Sequence, residues 1–150
     1  MTPHHTHRLF RQTVLVRLER EHGGGVVCER CKVADNALSR MRGLLGRSSL
    51  GVGEGLLIRP ASSIHMFFMR FPIDAVFLDR TLRIVGIAES LRPWRVAGRR
   101  GAKAVLELPA GEAARRGLRP GERLVLTEEE GGQSAEREER PERKRGLPRG

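Results

Sequence analysis

"SSIHMFFMRFPIDAVFLD", residues 62–79, is the most apolar part of the chain and decides the fold that the sequence predicts. Pro72 divides it into two halves. In each half, apolar residues occupy positions that would point to both faces of a strand. That pattern is typical of strands that are covered on both faces. Because proline cannot donate to a strand ladder, the pattern predicts a bend or a strand edge at Pro72 rather than one straight central strand.

Three ionisable residues interrupt this stretch: His65, Arg70 and Asp74. If the chain reverses at Pro72, Arg70 and Asp74 face each other, and charge-assisted hydrogen bonds between them would hold the bend. A second interpretation makes the residues a site, in which His65 is a general base or a ligand contact beside Asp74 or Asp79. A histidine flanked by methionine and phenylalanine is also typical of a core residue with one hydrogen-bond partner. The residues alone leave these interpretations open.

Apolar segments on either side of the central stretch extend the prediction along the chain. Strands are predicted within 26–34, 55–60, 83–90, 104–111 and 119–127. Helical turns are predicted at 36–46 and 111–117. The segment "TVLVRLE" (13–19) fits a strand or a helix equally well. Short strands at irregular spacing with few helices predict a mostly β fold, a small barrel-like or sandwich domain of about six or seven strands with one or two short helices.

Changes in composition predict three parts of the 150-residue chain. A glycine run at 23–25 ends an N-terminal extension, residues 1–25. Residues 26–127 form the predicted β domain, which is long enough to bury a core of its own. Residues 128–150 are rich in charge and contain only two apolar side chains, so we expect a disordered tail.

The charge of the chain is strongly basic, with a formal net charge of +10. Most of the excess lies in residues 23–127, which hold 18 Lys or Arg against nine Asp or Glu. Such a surface favours anionic partners. No apolar run approaches the roughly 20 residues that a membrane helix needs. The N-terminus lacks the pattern of a secretory signal, so we expect a cytoplasmic protein without a membrane contact.

The segment "LRPWRVAGRRGAK" (91–103) is the most basic loop, and it surrounds the single tryptophan, Trp94. Its cations are Arg92, Arg95, Arg99, Arg100 and Lys103. Arginines beside an indole can hold a phosphate, a carboxylate or the acidic segment of a partner protein. The alternative is a solvated loop whose tryptophan covers one end of the barrel. Nucleic-acid binding is possible but not favoured, because a chain with no tyrosine and one tryptophan offers few platforms for base stacking.

Cys28 and Cys31 have the spacing of a CxxC motif. Two thiols cannot complete a tetrahedral zinc site by themselves, and no second CxxC follows. A strand at 26–34 would place two side chains with an odd separation on opposite faces. We therefore expect reduced cysteines with no metal and no cofactor. The glycines of "LGVGEG" (50–55) lack the Lys-Ser/Thr pair of a phosphate loop and indicate a turn.

Five motifs occur in an order that resembles a known family. They are "RMRGLLGR" (40–47), "GEGLLIRP" (53–60), "IHMFFMRFPIDAVFLD" (64–79), "VLELPAG" (105–111) and "GLRPGERLVL" (117–126). Together they resemble the domain of unknown function 192 (DUF192) family over residues 26–127. The resemblance implies a compact, mostly β, barrel-like domain with short helices. It implies no established reaction, cofactor or set of catalytic residues.

We expect an uncharacterised binding or accessory module for an anionic ligand or a protein partner. The candidate binding residues are His65, Arg70, Asp74, Trp94, Arg95, Arg99 and Arg100. The first alternative is a small enzyme, such as a hydrolase, that uses His65 with Asp74 or Asp79. The second is a weak nucleic-acid binder that uses the arginine-rich surface. The sequence leaves the identity of the partner and the oligomeric state open.

Overall fold

Nine strands and one short helix make up the part of the chain that the computed structural model describes, residues 14–35 and 47–128. The strands are β1 (Leu15–Arg20), β2 (Val26–Ala34), β3 (Glu54–Ile58), β4 (Ser63–His65), β5 (Ile73–Leu78), β6 (Ile84–Leu91), β7 (Val96–Gly98), β8 (Ala104–Pro109) and β9 (Leu124–Glu128). The helix is α1 (Glu112–Arg115). The predicted mostly β class is confirmed. The strand number exceeds six or seven because the short strand β7 lies in the segment predicted as a loop and because β1, which the sequence left open between strand and helix, is a strand.

Seven strands form one sheet in the order β6-β5-β8-β3-β2-β1-β9, and β4 pairs with β7 in a separate two-stranded ribbon. Only β2 and β3 run parallel; the other neighbours in the sheet are antiparallel. The two outer strands meet at one end, where Arg83 bridges to Arg123 and the Leu124 N–H donates to the Leu82 carbonyl at 2.9 Å. The sheet is therefore curled into a barrel-like shape that does not close along its full length.

Each face of the sheet has its own apolar core. Val76, Leu106 and Leu108 pack with Ala113 of α1, and we call this side the helix face. Ala75, Phe77 and Val105 pack with Ile64 of the ribbon, and we call this side the ribbon face. The alternation of side chains along a strand divides neighbouring residues between the two cores. All six residues of β5 are buried, as the apolar pattern around 73–78 predicts.

The strand pattern is interrupted at Pro72, as predicted, but the strands before and after it do not pair with each other. β4 pairs with β7 and not with β5, and residues 66–72 form an irregular connection between the ribbon and the sheet. Arg70 is exposed, whereas Asp74 is completely buried on β5. Among the described residues no hydrogen bond or ion pair joins them, so the predicted Arg70–Asp74 pair is wrong. Strand β5, which follows the proline, pairs with β6 and β8. Those pairs, and not a contact with Arg70, set its position in the sheet.

Strand β1 lies before residue 26, where the sequence predicts the domain to begin. It pairs with β2 on one side and with β9 on the other, and its Val16 and Leu18 are buried in the helix-face core. The sheet therefore uses part of the predicted N-terminal extension. The helical segment predicted at 36–46 and the predicted tail after Glu128 lie outside the described residues. Within the described ranges, no helix is long and apolar enough to span a bilayer.

Candidate functional site

Four ring side chains meet beside the β4–β7 ribbon and form what we call the aromatic surface: His65, Phe67, Phe68 and Trp94. The His65 ring stacks on Phe67 with 4.7 Å between centroids, and Trp94 lies 5.9 Å from Phe67 and 5.0 Å from Phe68. Phe67, Phe68 and Trp94 expose 41%, 62% and 59% of their surface. Large rings in mutual contact and open to water are typical of a binding surface rather than of a core.

The connection after the ribbon holds these rings outward by burying its other side chains. Met66, Met69 and Phe71 are buried in the ribbon-face core. The Met66 N–H donates to the Arg95 carbonyl at 2.7 Å, and its carbonyl accepts the Trp94 N–H at 2.8 Å. These two backbone bonds join the 66–71 connection to the loop that carries Trp94. The sequence therefore places Met66, Met69 and Phe71 inward as anchors and directs Phe67 and Phe68 outward.

The backbone of the aromatic surface is strained at two of its rings. Phe68 has φ 64° and Trp94 has φ 68°, which is the left-handed region that bulky residues avoid. Each such residue costs on the order of 1–3 kcal/mol, and it persists only where the surroundings hold it. Strain of this kind collects at functional positions, and here both strained residues carry the most exposed rings.

Exposed arginines flank the rings along the chain. Arg70 follows Phe68 by two residues, Arg92 precedes Trp94 by two residues, and Arg95 follows it directly; we call these three the arginine border. Within the described residues none of the three forms an ion pair with an acidic side chain. Their guanidinium groups thus keep their hydrogen-bonding capacity for a partner.

Arg99 and Arg100 lie farther along the loop and are not part of this cluster. The Arg99 guanidinium lies 5.5 Å above the Phe77 ring and donates to the Gly98 carbonyl at 2.9 Å. Its side chain passes over Gly86, where a Cβ would lie 2.6 Å from the Arg99 Nε. Both arginines are exposed, but Arg99 lies across the sheet whereas Arg100 lies in the turn before β8.

Asp74 belongs to the framework. One carboxylate oxygen accepts the Ser90 N–H at 2.8 Å, and the other accepts the Ala113 N–H at 2.9 Å. Its neighbours Val76 and Leu78 on β5 pack on the helix face, whereas the ribbon that carries His65 packs on the opposite face. The sheet separates the two residues, so the pairing of His65 with Asp74 is not formed.

Asp79 is likewise committed to local structure. Its Oδ1 accepts the Thr81 N–H and hydroxyl, both at 2.8 Å, and the Arg83 N–H at 3.0 Å. Slight burial raises the pKa of this carboxyl, but the N–H of Arg83 and the two groups of Thr81 outweigh it and hold the pKa below its usual value. Asp79 thus fixes the turn between β5 and β6. The structure does not assemble the histidine–aspartate pair that the enzyme alternative needs.

The structure adds one residue that the sequence interpretation missed. Glu107 is completely buried on β8, where Leu56 and Ala75 of the ribbon-face core pair with it on either side. Removing a carboxylate from water is costly, so a glutamate in this position is a candidate functional residue. The signal was a lone charged residue inside the apolar run "AVLELP" (104–109).

Cys28 and Cys31 lie on the same side of β2, contrary to the expectation of opposite faces. Both are free, completely buried and part of the helix-face core. Cys28 pairs with Leu18 and Cys31 with Val16, so β2 carries one extra residue between them. That β-bulge shifts the alternation by one position. A hydrogen bond from the Cys31 thiol lowers the pKa of Cys28 and raises the pKa of Cys31. Among the described residues no group of three potential metal ligands occurs.

Proteins related in sequence match a large part of the chain. One relative is a UPF0127 protein of Pyrococcus furiosus, 34% identical over 97 residues, with 62% of this chain and 83% of that protein covered. A UPF0127 protein of Thermococcus sibiricus is 37% identical over 93 residues, which cover 59% of this chain and 60% of that protein. The chain thus spans about three fifths of that relative.

Two solved structures share the fold. A protein of unknown function from Novosphingobium aromaticivorans superposes with a TM-score of 0.64 at 27% identity, covering 79% of this chain and 89% of that one. A putative transcription regulator from Sinorhizobium meliloti gives a TM-score of 0.65 at 26% identity, covering 77% and 94%. The family model for DUF192, described as an uncharacterised group, matches residues 18–126, from within β1 to within β9. This match extends over most of the sequence, and the chain therefore belongs to the DUF192 family.

Proposed function

We propose that this protein is a binding module whose aromatic surface and arginine border hold an acidic segment of a partner protein. The observation that carries the proposal is the contact among Phe67, Phe68 and Trp94 at a site where all three are exposed. Tryptophan and arginine are the residues that most often dominate the energy of protein interfaces. Guanidinium groups without an internal partner complement carboxylates.

The packing of the rings favours a protein partner over single-stranded nucleic acid. A platform for bases needs ring faces that are separately accessible. Here Phe67 has the His65 ring stacked on it and Trp94 within 6 Å, so the rings form one joined apolar surface. Such a surface suits apolar side chains of a peptide, with the arginine border receiving its carboxylates. The Sinorhizobium meliloti neighbour, described as a putative transcription regulator, makes nucleic acid the competing outcome to test.

Trp94 is the only tryptophan of the chain, so its fluorescence reports directly on this surface. The experiment titrates the full chain with a short peptide of alternating glutamate and leucine. Two other titrations use the same peptide with lysine in place of glutamate and a single-stranded oligothymidylate. We expect a saturable change in Trp94 emission with the acidic peptide only.

Two variants and two matched controls locate the binding. Phe68→Ala and Arg95→Glu should each weaken the acidic peptide about tenfold, or about 1.4 kcal/mol. Val52→Ala and Arg119→Glu alter side chains that are equally exposed outside the aromatic surface and should change little. No saturable change with the acidic peptide, or a stronger response to the oligonucleotide, would overturn the proposal.

The proposal includes a cytoplasmic location, as expected from the sequence. Two free cysteines three residues apart on one strand are typical of a reducing compartment. Fractionation of the source cells checks this directly, and recovery of the protein outside the cytoplasm would contradict it.

A further inference from the structure

A concave region lies on the sheet and shares no lining residue with the aromatic surface. It is a cavity of about 300 Å³ over β1, β2 and β3. Its charged lining residues in the described part of the chain are Arg30, Lys32, Arg47 and Glu54. Its apolar lining comes from Leu15, Leu50 and Leu56. None of these residues belongs to the aromatic surface, and we call this region the basic pocket.

Strand register builds the basic pocket. Arg30 pairs with Glu54 and Lys32 with Leu56 across β2 and β3, and Lys32 pairs with Leu15 across β1 and β2. Residues directly opposite each other across strands share a face, as do residues two apart along one strand. Both cations of β2 therefore project to the same side as the leucines. The bulge after Cys28 sets this arrangement, because it directs both cysteines to the opposite face.

The charges in the basic pocket are not balanced. Arg47 and Glu54 form an ion pair with 2.8 Å between nitrogen and oxygen. Desolvation raises the pKa of Glu54, but the Gly51 N–H and the Arg47 guanidinium, helped by the charge of Arg30, outweigh it and lower the pKa. Glu54 is thus ionised and paired with Arg47. Arg30 and Lys32 form no ion pair with any of the described residues, so two positive charges face a partly apolar cavity.

We propose that the basic pocket binds a small organic anion that carries an apolar chain. Arg30 and Lys32 would hold the anionic head, and the three leucines would cover the chain. The volume lies at the lower end of the range for small-molecule sites, which limits the ligand to a short chain. Charge complementarity decides the class: a cationic or neutral ligand would leave the two free cations without a partner.

Three probes of equal chain length separate charge from apolar contact: octanoate, octanol and octylammonium. Calorimetric titration of the full chain should show binding of octanoate, binding of octanol that is at least about tenfold weaker, and no binding of octylammonium. Octyl phosphate and inorganic phosphate, used in parallel, show whether the head group is a carboxylate or a phosphate. Equal binding of octanoate and octanol would overturn the proposal.

Variants assign the binding to this pocket. Arg30→Gln and Lys32→Gln, both at exposed residues, should each weaken octanoate about tenfold, while Arg119→Gln should not. Glu54→Gln should strengthen octanoate binding several-fold, because it releases Arg47 while its amide oxygen can still accept the Gly51 N–H. Thermal unfolding of each variant checks that it is folded. Unchanged octanoate binding in both β2 variants would place the ligand elsewhere and contradict the proposal.

The proposals for the basic pocket and for the aromatic surface can be tested separately. Phe68→Ala is expected to leave octanoate binding unchanged, and Lys32→Gln is expected to leave binding of the acidic peptide unchanged. Loss of both activities in either variant would show that the two regions are one site.

Discussion

Asp74 shows how one buried carboxylate can join three elements. Strand β6 carries an extra residue opposite Asp74, between the pairs Ile73–Leu91 and Ala75–Ala88, and the Ser90 N–H donates to Asp74 there. Helix α1 begins after Gly111, which has no side chain to cap it. The Asp74 carboxylate accepts the Ala113 N–H and so takes the place of a local cap. One oxygen thus satisfies the N–H of the buried Ala113, and the other satisfies the N–H of Ser90 at the irregular position of β6.

Replacing Asp74 by asparagine should destabilise the fold. The amide keeps one acceptor oxygen and presents an NH₂ group to the other donor, so either Ser90 or Ala113 loses its acceptor. We expect the free energy of unfolding to fall by about 1–3 kcal/mol. Urea unfolding followed by circular dichroism measures it. Asp79→Asn is the comparison: Asp79 accepts all three of its bonds on one oxygen that asparagine retains, so this variant should lose only the smaller contribution of the charge. Equal stability of Asp74→Asn and the wild type would contradict the assigned role.

Asp79 predicts a pH dependence of stability. Its folded pKa lies below the ordinary value of 3.8, so the ionised carboxylate stabilises the folded state at neutral pH. This contribution is present above the unfolded pKa and is lost as the pH falls through the folded pKa. The stability difference between the wild type and Asp79→Asn should therefore be present at pH 7 and should shrink below about pH 4. Unfolding curves of both proteins from pH 7 to pH 3 measure it, and a difference that grows on acidification would refute the assignment.

Strand β2 shows how one extra residue serves two purposes. The N–H groups of Glu29 and Arg30 both donate to the Gly53 carbonyl, at 3.0 and 2.9 Å, which is the hydrogen-bond pattern of a bulge. Cys28, which precedes the bulge, and Cys31, which follows it, both pack in the helix-face core. Arg30 is then free to face the basic pocket together with Lys32. The bulge thus packs two thiols in the interior and aligns two cations outside.

Packing beside the bulge predicts a strong effect at Gly55. A Cβ there would lie 2.6 Å from the Cys28 Sγ and 3.0 Å from the backbone carbonyl oxygen of Glu107. Gly55→Ala should lower the free energy of unfolding by about 1–3 kcal/mol, because the core must shift to admit the methyl group. Thermal and urea unfolding measure the change.

Two further variants separate this clash from a general effect of alanine. Gly51→Ala would meet only the side chain of Glu54, at 3.3 Å, which can move, so its effect should be small. Adding Cys28→Ala to Gly55→Ala should recover part of the loss, since it removes the nearer contact. A cost at Gly51 as large as that at Gly55 would argue against the packing explanation.

At the scale of the whole molecule, the first and last described strands hold each other in place. Within the described residues, the only ladder neighbour of β9 is β1, and β1 also pairs with β2. The outer strands β6 and β9 then meet at the Arg83–Arg123 bridge. Closure of the barrel-like sheet therefore depends on a strand that lies before the domain boundary predicted from composition.

Truncation tests this dependence. A chain that begins at Val26 lacks β1, which removes the burial of Val16 and Leu18, worth roughly 1.5–3 kcal/mol each, and detaches β9. These losses are comparable to the whole stability of a typical domain, so we expect the truncated chain to lose cooperative thermal unfolding. A chain that begins at Val14 retains every described strand and should unfold cooperatively. Cooperative unfolding of the shorter chain with an unchanged midpoint would show that β1 is dispensable.

The sequence by itself determined the mostly β class, the buried strand after Pro72 and the grouping of Trp94 with nearby arginines. These features depend on apolar runs, on the missing donor of proline and on residues adjacent in the chain, all of which are local. Only the tertiary structure decided that Asp74 binds Ala113, 39 residues away, instead of Arg70. It also decided that Cys28 and Cys31 share a face, that Phe67 and Phe68 meet Trp94, and that Arg30 and Lys32 line a cavity with Arg47. Local periodicity indicates which side of an element is buried, whereas hydrogen-bond partners, bulges and cavities depend on which distant strand lies beside it.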